Sequence, residues 1–292
     1  MSAARPRWVI APAEPTVVDA LADLRFRALA EGRGLDPDAR FVGGYVAWEW
    51  RHARHVFESS ASTAPIAGRS ALELGCNVGA TAIVLASLGA RVTAVDRDPA
   101  ILPIARANAA RFGVEATITF EHVADSAHLP FADASFDVAS CNSVLEYVDP
   151  AALDGVLGEL DRVLRPGGML IVLGTSNRLW PRETHSRRWL VNYLPRALDR
   201  VIPGPPLRRG ISAGRVRRAL PGYRDLVAED GGRRFVELKR RMGARGPWLA
   251  ALGAGAALAA RAGLSPGALG PSLTMLLHKP GSALLSTRRG PC

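Results

Sequence analysis

The stretch Leu72-Glu73-Leu74-Gly75-Cys76-Asn77-Val78-Gly79, followed by an apolar helical pattern and then Val92-Thr93-Ala94-Val95-Asp96, constrains this chain more than any other feature. It reads as a strand, a glycine turn, a helix, a second strand and an acid at that strand's end. Glycine has no Cβ, so at Gly75 and Gly79 the backbone can approach a ligand closely and take angles other residues resist. The helix that follows aims its free N–H groups at whatever rests on the turn. An acid closing the second strand stands where two ribose hydroxyls can donate to it, as in nucleotide-binding βαβ units. The order predicts a nucleotide-type ligand.

From residue 70 the rhythm is strand–helix alternation, with strands at 71–74, 92–95, 117–123, 136–141 and 169–173. Asp98-Pro99 and Asp149-Pro150 each read as cap and first turn of a helix, closed by Gly113 and by Gly167-Gly168. Mostly apolar strands in such alternation predict an α/β fold, a parallel sheet with helices on both faces. Upstream, Val17, Leu21, Leu24 and Ala28 recur at helical spacing, as do Val46, Trp50, Ala53 and Phe57. Gly32, Gly34 and Pro37 separate these two apolar stripes, which form an expected N-terminal helical cap over residues 1–67. The main domain is then 68–292. Within it, residues 175–221 are rich in Pro, Arg and Gly, a long excursion that predicts a substrate-facing insertion. Residues 223–227 and 272–278 each add a strand; in the second, Leu273, Met275 and Leu277 alternate. Residues 246–292 hold the last helix and that strand.

A chain of 292 residues with 48% apolar content can bury one large α/β core with additions. Its net charge of +10 is uneven: residues 1–177 carry 15 basic and 21 acidic groups, residues 178–245 carry 18 and 6. Only Lys239 and Lys279 are lysines. The arginines lack interleaved stacking aromatics, which argues against nucleic acid and leaves an acidic substrate or peripheral membrane contact. The 15-residue apolar run between Arg245 and Arg261 is shorter than the ~20 residues of a membrane span and reads as a buried helix. Cys76, Cys141 and Cys292 are too few and scattered for a disulfide framework or a metal cluster. No metal is expected, and the setting is expected to be reducing and cytoplasmic. Arg5 and Arg7 precede a mixed segment with acids and prolines, not an apolar signal core.

Between about residues 71 and 174 the chain resembles the class I S-adenosylmethionine-dependent methyltransferases, in particular the type 11 subgroup. Five elements in that family's order carry the resemblance: LELGCNVG, VTAVD, Ala124-Asp125-Ser126-Ala127-His128-Leu129-Pro130-Phe131, FDVASCNSVLEYV, and Val163-Leu164-Arg165-Pro166-Gly167-Gly168. It implies a Rossmann-like, seven-stranded, mostly parallel sheet whose last strand is antiparallel, and S-adenosyl-L-methionine as cofactor. It also implies that Glu73 and the turn through Gly75, Cys76, Asn77 and Gly79 hold the cofactor's amino-acid end, Glu73 on the ammonium side. Asp96, with Arg97 beside it, takes the ribose hydroxyls. Asp125 takes the adenine amino group, with Ser126 adjacent, and Asn142 and Ser143 floor the methyl end.

Two departures matter. Asn77 stands where many relatives have a third glycine, and its short polar side chain tolerates a tight turn. Tyr147 stands where relatives often have a histidine after Leu-Glu. The replacement expected here is His185, a general base near pKa 6.5, with Glu183 orienting it if the loop is bent. Glu146 reads as a structural acid, and Tyr147 as a hydrogen-bonding group at the reacting centre. The function expected is methyl transfer to a small-molecule or lipid-like acceptor, oxygen before carbon, under a lid carrying Trp48, Trp50, Trp180 and Trp189. The alternatives are a cofactor-binding accessory subunit and a nicotinamide oxidoreductase. The second lacks the G-x-G-x-x-G turn that such enzymes need.

Overall fold

A computed structural model of the chain describes residues 13–60, 65–203 and 207–281; Arg5, Arg7 and Cys292 lie outside them. The chain divides into two units, Met1–Ala124 and Asp125–Cys292. The first contains α1 (Ala20–Gly32), α2 (Tyr45–Arg51), α3 (Ala53–Ser60), β1 (Ser70–Leu74), α4 (Ala80–Ser87), β2 (Arg91–Asp96), α5 (Leu102–Arg111) and β3 (Ile118–His122). Parallel pairing joins β1 to β2 and β2 to β3. Helix α4 carries no charge and buries seven consecutive residues, Ala80 to Ala86, as a helix enclosed on all sides must.

The α1 stripe differs from its sequence reading. Leu21 and Leu24 are 77% and 64% exposed, and the buried face is Ala22, Phe26 and Ala30. Both sets recur at helical spacing, so spacing alone cannot choose. Two contacts decide the phase: the Arg111 guanidinium lies 4.4 Å from the Phe26 ring centroid and pairs with Asp23 at 2.9 Å. Asp19 caps the helix through the Leu21 and Ala22 N–H groups. The second stripe is as expected, with Val46, Trp50, Ala53 and Phe57 all buried, although a break at His52 divides it between α2 and α3.

The second unit contains β4 (Phe136–Asn142), α6 (Leu153–Val163), β5 (Leu164–Ser176), α7 (Ala213–Ala219), β6 (Arg224–Asp225), α8 (Arg233–Arg241), α9 (Gly246–Arg261) and β7 (Ser272–His278). Here β4 and β5 are parallel, and β7 is antiparallel to both β5 and β6. All strands belong to one seven-stranded sheet in the order β3-β2-β1-β4-β5-β7-β6. The order turns back at β1, the strand whose carboxyl end carries the glycine turn, as ligand sites in open α/β sheets require. The fold class is therefore the α/β, mostly parallel, Rossmann-like one.

Three boundaries move for identifiable reasons. Asp98 accepts from the Ala100 N–H at 3.0 Å and Asp149 from the Ala151 N–H at 2.7 Å. Each acid thus closes an Asx turn, and the helices begin only at Leu102 and Leu153. Gly167 and Gly168 lie inside β5: Phe136 pairs with Leu164 and Val138 with Met169, so the residues between them bulge from the ladder. Helix α9 buries only Leu252, Ala256 and Ala259, leaving Trp248 and Leu258 exposed. No helix among the described residues is long and apolar enough to cross a membrane.

Candidate functional site

In the first unit the site residues gather at the carboxyl ends of β1 and β2. Glu73 is 2% exposed. Its carboxylate accepts from the Thr81 hydroxyl and the Ala82 N–H in the first turn of α4. Burial holds its pKa well above the usual carboxylate range, and the nearby Glu49 and Asp96 add to this. Its Oε2 has no hydrogen-bond partner. A buried acceptor without a donor is costly, and an ammonium group is the donor that would relieve it.

The turn after Glu73 is left-handed at Gly75, Asn77 and Gly79, with φ of 71°, 48° and 79°. Asparagine is among the few side chains that enter this region readily, so the chain makes the turn without a third glycine. A Cβ on Gly79 would sit 3.2 Å from the Phe120 ring and 3.3 Å from Ala105. The Gly75 and Cys76 N–H groups both donate to the Val95 carbonyl, at 2.8 and 2.9 Å, which fastens the turn to β2. Burial pushes the Cys76 thiol up, which keeps it protonated and inert. Asp96 accepts from the Asn77 N–H at 2.8 Å and from the Asp98 N–H at 3.0 Å, one on each oxygen. A carboxylate offers about four lone-pair directions, so two remain for outside donors such as vicinal hydroxyls. Arg97 is exposed, with His122 Nε2 3.2 Å from its carbonyl oxygen. His52 stacks on Trp48 at 3.9 Å, and His55 lies 3.6 Å from Glu58.

The remaining site residues belong to the second unit. Asp125 is exposed; it accepts from the Ala127 N–H at 2.9 Å and lies 2.7 Å from His128 Nδ1. The His128 hydrogen bond, then the backbone one, lower its pKa, while Asp125 raises that of His128. That partnership was not legible from residue type alone. Ser126 follows, half-buried. Asn142 ends β4 with 8% exposure, and Ser143 takes φ of 56° while its N–H donates to the Leu173 carbonyl at 2.9 Å. Facing them is Gly174, at φ of 69°, where a Cβ would lie 2.4 Å from Ser143 Oγ and 2.5 Å from Asn142 Oδ1. Gly174→Ala is accordingly expected to destabilise the protein by about 2–4 kcal/mol through overpacking and left-handed strain. Urea unfolding checks this, and a midpoint within error of the parent would contradict it.

Around His185 the second unit builds a cluster that the sequence reading only partly anticipates. Nε2 lies 3.5 Å from Glu146 Oε1, and Nδ1 lies 3.5 Å from the Tyr147 hydroxyl. The Glu146 side chain is 1% exposed. The same Oε1 accepts from the Ser176 N–H at 3.3 Å, and Oε2 has no partner. Hydrogen bonding to Glu146 raises the His185 pKa above its ordinary 6.5 despite partial burial. Burial and the Glu146 charge push the Tyr147 phenol up, away from a base role. The Arg208 guanidinium stands 5.0 Å over the Tyr147 ring. Glu183, expected to orient the imidazole, instead accepts from the backbone N–H groups of His185 and Ser186. It closes the loop as an Asx-like turn would, and the orienting contact falls to Glu146. Nothing in the sequence pointed to Arg208.

Residues 72–172 match the family model described as Methyltransferase domain. The ubiquinone biosynthesis O-methyltransferase of Xylella fastidiosa is 36% identical over 115 residues, 39% of this chain and 44% of that protein. An uncharacterized methyltransferase of Bacillus subtilis is 39% identical over 108 residues, 37% of this chain and 44% of that one. The chain thus spans less than half the length of the curated relatives it matches. A provisionally assigned sarcosine dimethylglycine methyltransferase from Galdieria sulphuraria shares the fold. Its TM-score is 0.51 at 17% identity, over 89% of this chain and 98% of that one.

Proposed function

Because residues 72–172 form a class I S-adenosylmethionine-dependent methyltransferase domain, we propose that the protein methylates a hydroxyl on a small-molecule or lipid-like acceptor, with His185 as the general base. The observation that carries the proposal is the imidazole held between a buried carboxylate and a phenol. A hydrogen bond from Nε2–H to Glu146 fixes the tautomer that leaves Nδ1 as the acceptor nitrogen. Nδ1 would then take the hydroxyl proton as the acceptor oxygen receives the methyl group, the bond from methyl to the cofactor's sulfur breaking to leave S-adenosylhomocysteine as a neutral thioether. Tyr147 steadies the hydroxyl, and Glu146 stabilises the imidazolium that results.

The residues of the first unit suit the cofactor's polar ends. Glu73 Oε2 is a buried oxygen in want of a cation, and Asp96 keeps two lone-pair directions for ribose hydroxyls. The left-handed turn at Gly75, Asn77 and Gly79 admits the amino-acid portion. Asp125, Ser126 and Asn142 are assigned to the adenine and methyl ends. When bound, S-adenosyl-L-methionine supplies an already activated methyl group, so the protein chiefly aligns the nucleophile. Residues 1–67 and 175–221 are proposed as the cap and insertion that exclude water. A cytoplasmic setting, in which the cysteines stay reduced, and peripheral contact with a membrane complete the proposal.

The test is the pH dependence of turnover. Since Glu146 raises the His185 pKa, the neutral base-competent imidazole accumulates only as pH rises through a value above 6.5. Activity should climb through that pKa, and Glu146→Gln should move the climb to lower pH. An acidic limb unmoved by Glu146→Gln would contradict the assignment. Carbon methylation is the second reading, and a pH-independent rate would favour it.

A further inference from the structure

Between Gly246 and Ala260 helix α9 has no charged side chain, and the indole of Trp248 is its one side-chain hydrogen-bonding group. Leu252, Ala256 and Ala259 face inward, and Gly232 backs Ala256 so closely that a Cβ there would lie 2.8 Å from it. The opposite side is bare: Trp248, Ala251, Ala254, Leu258 and Ala262 follow one another at helical spacing and are all exposed. Trp248 is 60% exposed, Leu258 68%, and Leu264 just beyond 61%. From Trp248 to Ala262 the stripe runs about 21 Å, long for an isolated surface hydrophobe.

Its rim is cationic. Residues 230–264 carry seven basic and two acidic groups. Exposed Arg245 and Arg261 bracket the stripe, and Arg233 lies at the start of neighbouring α8. Among the described residues the Arg245 guanidinium donates to the Arg240 and Ala244 carbonyls, and that of Arg233 to the Asp230 carbonyl. None of the three forms an ion pair with a carboxylate among the described residues. A second copy of the chain is a poor occupant: two-fold pairing of this face would bring together two rims that each carry seven basic groups against two acidic ones. An apolar stripe with a tryptophan at one end and unneutralised arginines at both suits an anionic lipid surface, with the helix lying in its plane.

We propose that α9 docks the protein on anionic membranes, Trp248, Leu258 and Leu264 entering the interface while Arg233, Arg245 and Arg261 meet the headgroups. The docking is independent of methyl transfer and is read without it. The full chain is floated with phosphatidylcholine vesicles, with and without phosphatidylserine. Binding is expected with phosphatidylserine and should weaken steeply with salt. Trp248→Ser with Leu258→Ser should reduce it tenfold or more. Arg245→Gln with Arg261→Gln should reduce it by about fivefold per arginine on anionic vesicles only. Far-ultraviolet circular dichroism establishes that each variant is folded. Three outcomes would overturn the proposal: no flotation of the folded parent, flotation that both variants retain, or sedimentation velocity showing a dimer that Trp248→Ser with Leu258→Ser dissolves.

Discussion

Replacing Asp96 with alanine is expected to weaken S-adenosylmethionine binding by about 10²–10⁴-fold, measured by titration calorimetry on the folded variant. Two ribose hydroxyls donating to a carboxylate are charge-assisted hydrogen bonds of roughly 1.5–3 kcal/mol each, and every 1.4 kcal/mol is tenfold. Part of the loss comes through the protein itself. Asp96 also receives the Asn77 and Asp98 N–H groups, so alanine removes one of the bonds that hold the left-handed turn, leaving those to the Val95 carbonyl. Asp96→Asn separates the two contributions, because its amide oxygen can still hold one backbone N–H while the negative charge is gone. An affinity within a factor of two of the parent in both variants would remove Asp96 from the site.

His185→Ala is expected to lower turnover on the true acceptor by ~10²–10⁴-fold, the range of general-base assistance, with cofactor affinity nearly unchanged. Neither Glu146 nor Tyr147 can take over. Tyr147 is held protonated by its raised pKa, and the Glu146 side chain is buried behind the imidazole. Single-turnover rates at saturating cofactor separate this from a binding defect. A decrease of less than about fivefold, well short of that range, would make the histidine structural, and catalysis would rest on alignment alone.

Much of the fold was legible because its signals are local. The strand–turn–helix order at 72–79, the acid at Asp96, and the alternation at Leu273, Met275 and Leu277 each follow from backbone freedom or side-chain period. Ser272–His278 forms β7 over the residues expected. What escaped depends on partners distant in sequence. The phase of α1 is set by Arg111, some 80 residues on, and no window along the helix contains it. Asp98 and Asp149 were recognised as turn acids, but their bonds reach only two residues ahead, so the helices start a turn late. In the candidate site, His185 lies 39 residues from Glu146 and 38 from Tyr147 in sequence; the β4 and β5 ends bring them together, Ser176 supplying the backbone N–H that places Glu146. Glu183 drew attention as the nearest acid in sequence, yet an acid two residues from a histidine more readily takes that residue's own N–H. Gly174 is a glycine because Asn142 and Ser143 crowd it, and neither is adjacent to it in sequence.

The central claim is methyl transfer. The most direct measurement incubates the protein with methyl-labelled S-adenosylmethionine and a small-molecule and lipid extract of its native cells, then follows the label. The account predicts label in an extractable acceptor, in step with S-adenosylhomocysteine formation, with Asp96→Ala giving neither. Cofactor bound by the folded protein while the label never leaves it, in extracts that support other methyltransferases, would contradict the account and favour a cofactor-binding accessory subunit.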